Sequence, residues 1–161
     1  MSGKEKGKSC LAVSRIAVFF LRFQFLIYKN IEAFALFSGF FSSDAEPYPW
    51  LQIKLGRERV VSSITIVNRI DLFGSRLANL EIRSGYYELK NNSGAEKIVS
   101  NDLCGHFDGP GENGQIYNIN CDAPLPAKYV TIQIVPNNRS LPHAEKRILQ
   151  LNEVQINELI I

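Results

Sequence analysis

The sequence of 161 residues has few of the side chains from which metal centres and nucleophilic sites are built. It contains two histidines, His106 and His143, and three cysteines. None of these stands in a metal-ligand spacing or beside a recognisable nucleophile motif. We interpret both histidines as surface loop residues. The glycines between 105 and 114 precede no helix and therefore form no phosphate cradle. The sequence predicts a protein that is not an enzyme.

An excess of charge of one sign is also missing. Lys and Arg total 18 and Asp and Glu total 16, so the net charge is +2. Nucleic-acid-binding domains concentrate far more basic residues on one face, and we therefore expect no nucleic-acid partner. Hydrophobic residues make up 45% of the chain and aromatic residues 11%. This composition is typical of one globular domain and excludes disorder over most of the length.

No uncharged stretch reaches the roughly 20 residues that a transmembrane helix needs. The first 41 residues are nevertheless atypical, because lysines and Arg15 precede an apolar run that Arg22 interrupts. Three interpretations stay open: a poor signal peptide or anchor, a helix packed on the domain, or a segment foreign to the mature protein. We divide the chain into this hydrophobic segment, residues 1–41, and a domain of residues 42–161 that does not itself insert into a membrane.

From Trp50 onward, short runs alternate between apolar and polar residues, which is typical of β-strands. The predicted strands are 51–55, closed by Gly56, and then 60–68, 80–83, 117–121, 130–134 and 149–156. A change of phase at Asn152 and Glu153 indicates a β-bulge in the last strand. Six or more short strands without a convincing helix after residue 47 predict an all-β sandwich of the jelly-roll kind.

Cys104 and Cys121 lie on either side of a glycine-rich loop. A disulfide across this loop would stabilise the fold by about 3 kcal/mol in the chain-entropy model, and such a bond persists only in an oxidising compartment. Two buried free thiols are the alternative. The third cysteine, Cys10, lies in the lysine-rich head of the chain.

The most distinctive local feature is the segment from Asn68 to Arg76, where a predicted strand ends in a loop. Arg69 and Arg76 are placed so that they can converge from the two ends of this loop. Their planar forks of donors suit adjacent sugar hydroxyls, and Asp71 between them can hold one fork in place. Leu72 and Phe73 would add an apolar wall. On residue types alone, a solvated loop with a local salt bridge is the alternative.

This segment and its neighbours resemble the fucose-binding F-type lectins, or fucolectins. The resemblance spans about residues 42–157. It is carried by residues 50–56, 64–71, 74–83, Cys104 with Gly105, Cys121, 128–132 and 151–156. It implies a discoidin-like β jelly roll that is secreted, stabilised by calcium, and binds terminal L-fucose without catalysis. Fucosylated glycans would be its partners, and linked copies in a homo-oligomer would gain avidity.

The resemblance also implies roles for individual residues. Arg69 and Arg76 occupy the positions of the two fucose-binding arginines, and Asp71 that of the acid between them. The family's third polar ligand is a histidine, and its position here is Ser42. Leu72 and Phe73 replace adjacent cysteines that pack on the sugar in the family.

For calcium, the resemblance points to Glu153 with its neighbour Asn152. Residues 1–41 lack the Asn, Asp and Ser pattern that supplies the family's other oxygen ligands, so the predicted site is incomplete.

Two alternatives to a lectin stay open, and serine in place of the histidine favours the first of them. One is a discoidin-like adhesion or interaction module that has lost sugar binding. The other is a truncated chain that folds poorly, because a jelly roll without its first strands exposes sheet edges.

Overall fold

Two long antiparallel strands form the centre of the fold in a computed structural model that describes residues 33–34, 41–90, 94–136 and 147–159. The strands of these ranges are β1 (Ala33–Phe34), β2 (Phe41–Ser42), β3 (Trp50–Val67), β4 (Leu80–Gly85), β5 (Asp102–Phe107), β6 (Ile116–Ile134), β7 (Gln150–Leu151) and β8 (Glu153–Glu158). A short 3-10 turn at Gly74–Arg76 precedes β4, and no α-helix occurs in the described ranges. The predicted all-β class is confirmed.

The long strands β3 and β6 change neighbours along their length. Their shared register shifts between Lys54 and Arg59 and again between Val61 and Ser63. The stretch of β6 that faces residues 50–54 of β3 pairs with β4 on its other side, whereas β3 pairs with β8 from Val61 onward. Breaks of this kind bend a strand pair, so the two halves of β3 and β6 contribute to different layers of a sandwich.

The strand order is β1-β8-β3-β6-β4-β5 in the main sheet, and β2 pairs with β7 in a separate two-stranded sheet. Asn152 lies between β7 and β8, and its backbone N–H donates to the carbonyl of Val67 at 3.0 Å. The predicted change of phase at this point is therefore the place where the chain passes from one sheet to the other, rather than a bulge within one strand.

Two further local predictions were wrong. Gly56 does not end a strand, because β3 continues through it. His106 is not in a loop but in β5, opposite Glu81 of β4, although its side chain is exposed as predicted. Gly105 interrupts the alternation of apolar and polar residues in β5. Glycine is required there because a Cβ would lie 2.7 Å from the carbonyl oxygen of Asn120. His143 and Cys10 lie outside the described residues.

Alternate residues of the predicted strands fill the core between the layers. Ile64, Ile66, Ile82 and Ile132 are fully buried, as is Cys104. A disulfide joins Cys104 of β5 to Cys121 of β6, so the disulfide is confirmed and the alternative of two free thiols was wrong. Its position ties β5 at the edge of the sheet to a central strand.

Part of the atypical first segment pairs with the domain. Residues 33 and 34 form β1, which extends the sheet beyond β8. The rest of residues 1–40 lies outside the described residues, so the interpretations of this segment stay predictions. No helix in the described part of the chain is long and apolar enough to cross a membrane.

Candidate functional site

The segment that links β3 to β4, residues 68–79, is called the arginine loop here. Its shape depends on Asn68, which is fully buried. The Asn68 amide donates to the carbonyl oxygens of Gly74 and Glu112 at 2.9 and 2.8 Å, and its side-chain oxygen accepts from the Arg69 backbone N–H at 2.9 Å. Sequence reasoning gave Asn68 no role, although asparagine at the start of a loop commonly bonds to nearby backbone in this way.

The glycine-rich stretch after β5 supports the arginine loop from the side. The backbone N–H of Gly74 donates to the Asn113 side-chain oxygen at 2.7 Å, and Gly114 N–H donates to the Arg69 carbonyl at 2.7 Å. A Cβ at position 74 would stand 2.4 Å from that Asn113 oxygen, so the close approach requires glycine. This stretch therefore holds the loop in place.

Arg69 is buried, with 7% of its surface exposed, and its guanidinium group is held on two sides. Its Nε and Nη2 atoms donate to the two carboxylate oxygens of Asp71, and Nη1 donates to the side-chain oxygen of Gln150. The hydrogen bonds between them lower the pKa of the Asp71 carboxyl and raise the pKa of Arg69. Asp71 thus holds one fork, as the sequence predicts.

Arg76 is exposed and meets Arg69 at the ring of Phe73. The guanidinium carbons of Arg69 and Arg76 lie 5.2 and 4.3 Å from the centre of that ring. These are distances at which a cation is attracted to an aromatic face. Among the described residues the Arg76 guanidinium group has no hydrogen-bond or ion-pair partner, so its donors face solvent. The structure therefore brings the two arginines together.

The two predicted wall residues differ in their surroundings. Phe73 contacts both guanidinium groups and is 46% exposed, whereas Leu72 is 87% exposed at the tip of the loop. Ile70, which sequence reasoning did not single out, is 78% exposed on the same tip. The loop thus presents apolar surface beside its cationic groups.

Ser42 is connected to Arg69 through Gln150, although it precedes Arg69 by a whole strand. It belongs to β2 and stands opposite Gln150 of β7. The Gln150 amide donates to the Ser42 hydroxyl oxygen at 3.3 Å, while its oxygen accepts from Arg69. Sequence reasoning missed Gln150, and no local pattern marks it, because its contact with Arg69 spans 81 positions of the chain.

Asn152 and Glu153 lie beside the start of the arginine loop, where Glu153 stands opposite Val67. Calcium takes six to eight oxygen ligands. The described ranges contain no group of three or more His, Cys, Asp or Glu side chains that could hold a metal ion. These two residues by themselves supply too few oxygens for a calcium site, so further ligands are required.

The chain is similar in sequence to a known family of domains and to individual lectins. Residues 38–132 match the family model described as NedA-like, galactose-binding domain. Fucolectin-1 from Anguilla japonica is 32% identical over 114 residues, which cover 71% of this chain and 55% of the relative. Fucolectin from Anguilla anguilla is 29% identical over 71% of this chain and 63% of its own length. The chain spans about half to two thirds of the length of these relatives.

Among solved structures, a fucolectin from the serum of Morone saxatilis, the striped bass, superposes with a TM-score of 0.58 at 26% identity, covering 74% of this chain and 36% of that one. The lectin domain of lectinolysin, solved with the Lewis b antigen, has a TM-score of 0.52 at 19% identity and covers 81% of this chain and 94% of that one. The second likeness shows the fold alone. The resemblance to fucolectins is confirmed, and relationship to lectins agrees with the prediction that the chain is not an enzyme.

Proposed function

This chain belongs to the NedA-like, galactose-binding domain family, and on that premise we propose that it is a carbohydrate-binding lectin whose arginine loop binds terminal L-fucose. The observation that carries the proposal is the meeting of two guanidinium groups at the ring of Phe73. Fucosylated glycans are the proposed partners.

In this proposal Arg76 is the principal donor. Its exposed fork offers several N–H groups in one plane, which suits two adjacent hydroxyls or a hydroxyl and the ring oxygen of a pyranose. Phe73 and Leu72 offer apolar surface for the less polar face of fucose. One sugar thus receives both the directed donors and the apolar contact that small-ligand sites combine.

Arg69 is proposed to contribute to sugar binding through a guanidinium group whose orientation is fixed before the sugar binds. Because Asp71 and Gln150 hold its guanidinium group, little side-chain freedom is lost on binding. Such preorganisation improves affinity by lowering the entropy cost of association. Asp71 is therefore proposed to act through Arg69.

The proposal is tested by calorimetric titration of the full chain with L-fucose. Arg76→Ala should weaken binding by about tenfold or more, because hydrogen bonds from a charged donor are lost. Arg76→Lys should recover only part of the loss, since an ammonium group lacks the planar fork. The matched control is Arg57→Ala, an arginine with a 64% exposed side chain in the irregular middle of β3. Equal affinities in all four proteins would exclude the site.

Calcium binding stays a proposal that rests on Glu153 and Asn152, with further oxygens required from elsewhere. A metal that binds only the folded chain raises the melting temperature by mass action. We expect a rise on adding calcium in the full chain and a smaller rise in Glu153→Gln. An unchanged melting temperature would show that the folded chain does not bind calcium.

A second candidate function is an adhesion or interaction module that no longer binds sugar. The exposed apolar tip, with Ile70 and Leu72 at 78% and 87% exposure, favours it. Binding to a fucosylated glycoprotein surface that survives fucosidase treatment and excess L-fucose, but is lost in Leu72→Ser, would support this function. Binding abolished by fucosidase would support the lectin.

We also propose that the domain works outside the cell. The Cys104–Cys121 disulfide supports this, because such bonds persist in oxidising compartments. A homo-oligomer would add avidity to weak single sites. Sedimentation of the full chain at several concentrations tests that state.

A further inference from the structure

A cleft of about 850 Å³ opens at the end of β4 opposite to the arginine loop. Two segments of the β4–β5 connection, residues 86–90 and 96–100, form its walls together with Tyr129 of β6. We call it the tyrosine cleft. The six residues of β4 separate it from the arginine loop, which amounts to about 20 Å at 3.3 Å per residue. One small sugar therefore does not reach both places.

Two buried glutamines hold the walls of the tyrosine cleft from below. Gln52 donates to the Tyr87 carbonyl at 3.1 Å and accepts from the Leu89 N–H at 2.8 Å. Gln133 accepts from the Ile98 N–H at 2.8 Å and donates to the Glu96 carbonyl at 3.2 Å. Each wall is thus bonded at two points to a central strand, since Gln52 belongs to β3 and Gln133 to β6.

Further contacts fix the same backbone. Trp50, Leu89 and Ile98 form a buried apolar cluster separate from the main core. The side chain of Asn101 accepts from the Tyr87 N–H at 2.8 Å and donates to the Tyr87 carbonyl at 3.0 Å. The walls are therefore preformed, as is usual for small-molecule sites.

This well-held backbone presents aromatic and apolar side chains to solvent. Tyr86 is 51% exposed, Tyr87 is 61% exposed and Val99 is 73% exposed. Buried polar anchors below exposed aromatic rings make a rigid, amphipathic surface, in which each ring supplies an apolar face and a hydroxyl. Such surfaces occur in binding sites more often than on unspecialised loops.

The charges at the tyrosine cleft indicate what kind of ligand it takes. Glu88 and Glu96 balance Lys90 and Lys97, so the lining carries no net charge. Lys97 is further engaged by Glu81 at 2.5 Å. A balanced lining does not select an anion or a cation, but it offers donors and acceptors to a ligand with many hydroxyls.

We propose that the tyrosine cleft is a second binding site, for a neutral saccharide whose apolar ring face packs on the exposed ring of Tyr87. This inference goes beyond the fucose site and does not depend on it, because no residue is shared by the two. A chain with two separate sugar sites would bridge glycans without forming an oligomer.

Trp50 makes the test selective, because it is the chain's one tryptophan and packs directly beneath the tyrosine cleft. The full chain carrying Arg76→Ala, in which the arginine loop is impaired, is titrated with the methyl glycosides of galactose, glucose and N-acetylglucosamine. We expect a saturable change in tryptophan fluorescence with at least one of them. The affinity should fall about tenfold when Tyr87→Ala is added and change by less than about twofold with Tyr87→Phe.

The exposed side chain of Tyr87 makes no contribution to the backbone bonds that hold it, so Tyr87→Ala should fold, and its melting temperature checks this. No fluorescence change with any of the three glycosides up to about 50 mM would overturn the proposal, since that is far above the range of useful affinities. Equal affinity of Tyr87→Ala would overturn it too. A tryptophan signal without arginine-dependent fucose binding would uphold the tyrosine cleft and reject the fucose site.

Discussion

The arginine loop and the tyrosine cleft lie at opposite ends of β4 and are held by different kinds of contact. The arginine loop is shaped by asparagines and by a guanidinium group paired with a partly exposed carboxylate. The tyrosine cleft rests on Gln52 and Gln133, which are neutral and buried in the central strands. An ion pair near solvent is weak, so a ligand can replace part of it. Breaking the hydrogen bonds of a buried amide leaves buried polar groups unpaired, which is costly. The contacts of the arginine loop orient the side chain of Arg69, whereas the two glutamines fix the backbone of the cleft walls.

The largest effect should come from breaking the support of the tyrosine cleft. The Gln133 side chain is 2% exposed and bonds to the Ile98 N–H and to the carbonyls of Tyr48 and Glu96. Gln133→Leu removes these three hydrogen bonds in a buried place. We expect a loss of about 3 kcal/mol in the free energy of unfolding, measured with urea. L-Fucose affinity of the folded protein should not change, because the arginine loop has its own supports.

Gln155→Leu on β8 is the matched control for that measurement, because Gln155 is partly exposed. It should cost less than about 0.5 kcal/mol. If Gln133→Leu altered fucose binding as strongly as stability, the two ends of β4 would be coupled and the contrast between them would be wrong.

A smaller effect is expected at the other end. Gln150→Leu removes the acceptor that holds Arg69 Nη1 without touching Asp71. Affinity for L-fucose should fall about fivefold, while the free energy of unfolding should change by less than about 1 kcal/mol, because Gln150 is only partly buried. Calorimetry and urea unfolding of the same sample separate the two readouts.

Ser42→His sharpens this prediction, because an imidazole beside Gln150 restores a polar ring where the resemblance expects one. It should raise the affinity for L-fucose. Unchanged affinity in both variants would show that Arg69 does not depend on its neighbours in β2 and β7.

The smallest effect concerns pH. Arg69 lowers the pKa of Asp71 below its ordinary value of 3.8, so the carboxylate stays charged in the folded protein when it would be protonated in the unfolded chain. The pair therefore stabilises the loop fully above pH 3.8, and this stability is lost as the pH falls through the lowered pKa. Fucose affinity should be flat from about pH 8 to pH 5. A midpoint near pH 6 would mean that another group controls the site.

Much of the fold was predictable because its strands bury one face. Ile64 and Ile66 alternate with polar residues, as do Leu80 and Ile82, and this period of two marks strands wherever a side of the sheet meets the core. β5 escaped prediction because Gly105 interrupts its alternation to let β6 approach. The continuation of β3 through Gly56 was missed because a register shift and a true turn look alike in sequence.

Most of the strands and the arginine loop follow from the sequence alone, since each depends on residues that are near in the chain or on a local period. Whether the two cysteines are bonded, and which side chains support the loop and the cleft, depends on tertiary packing. Gln150 meets Arg69 across 81 positions, and Gln133 meets Ile98 across 35. Such contacts follow from which strands become neighbours, and that choice depends on the packing of the whole core. The position of a buried amide therefore cannot be inferred from its own surroundings in the chain.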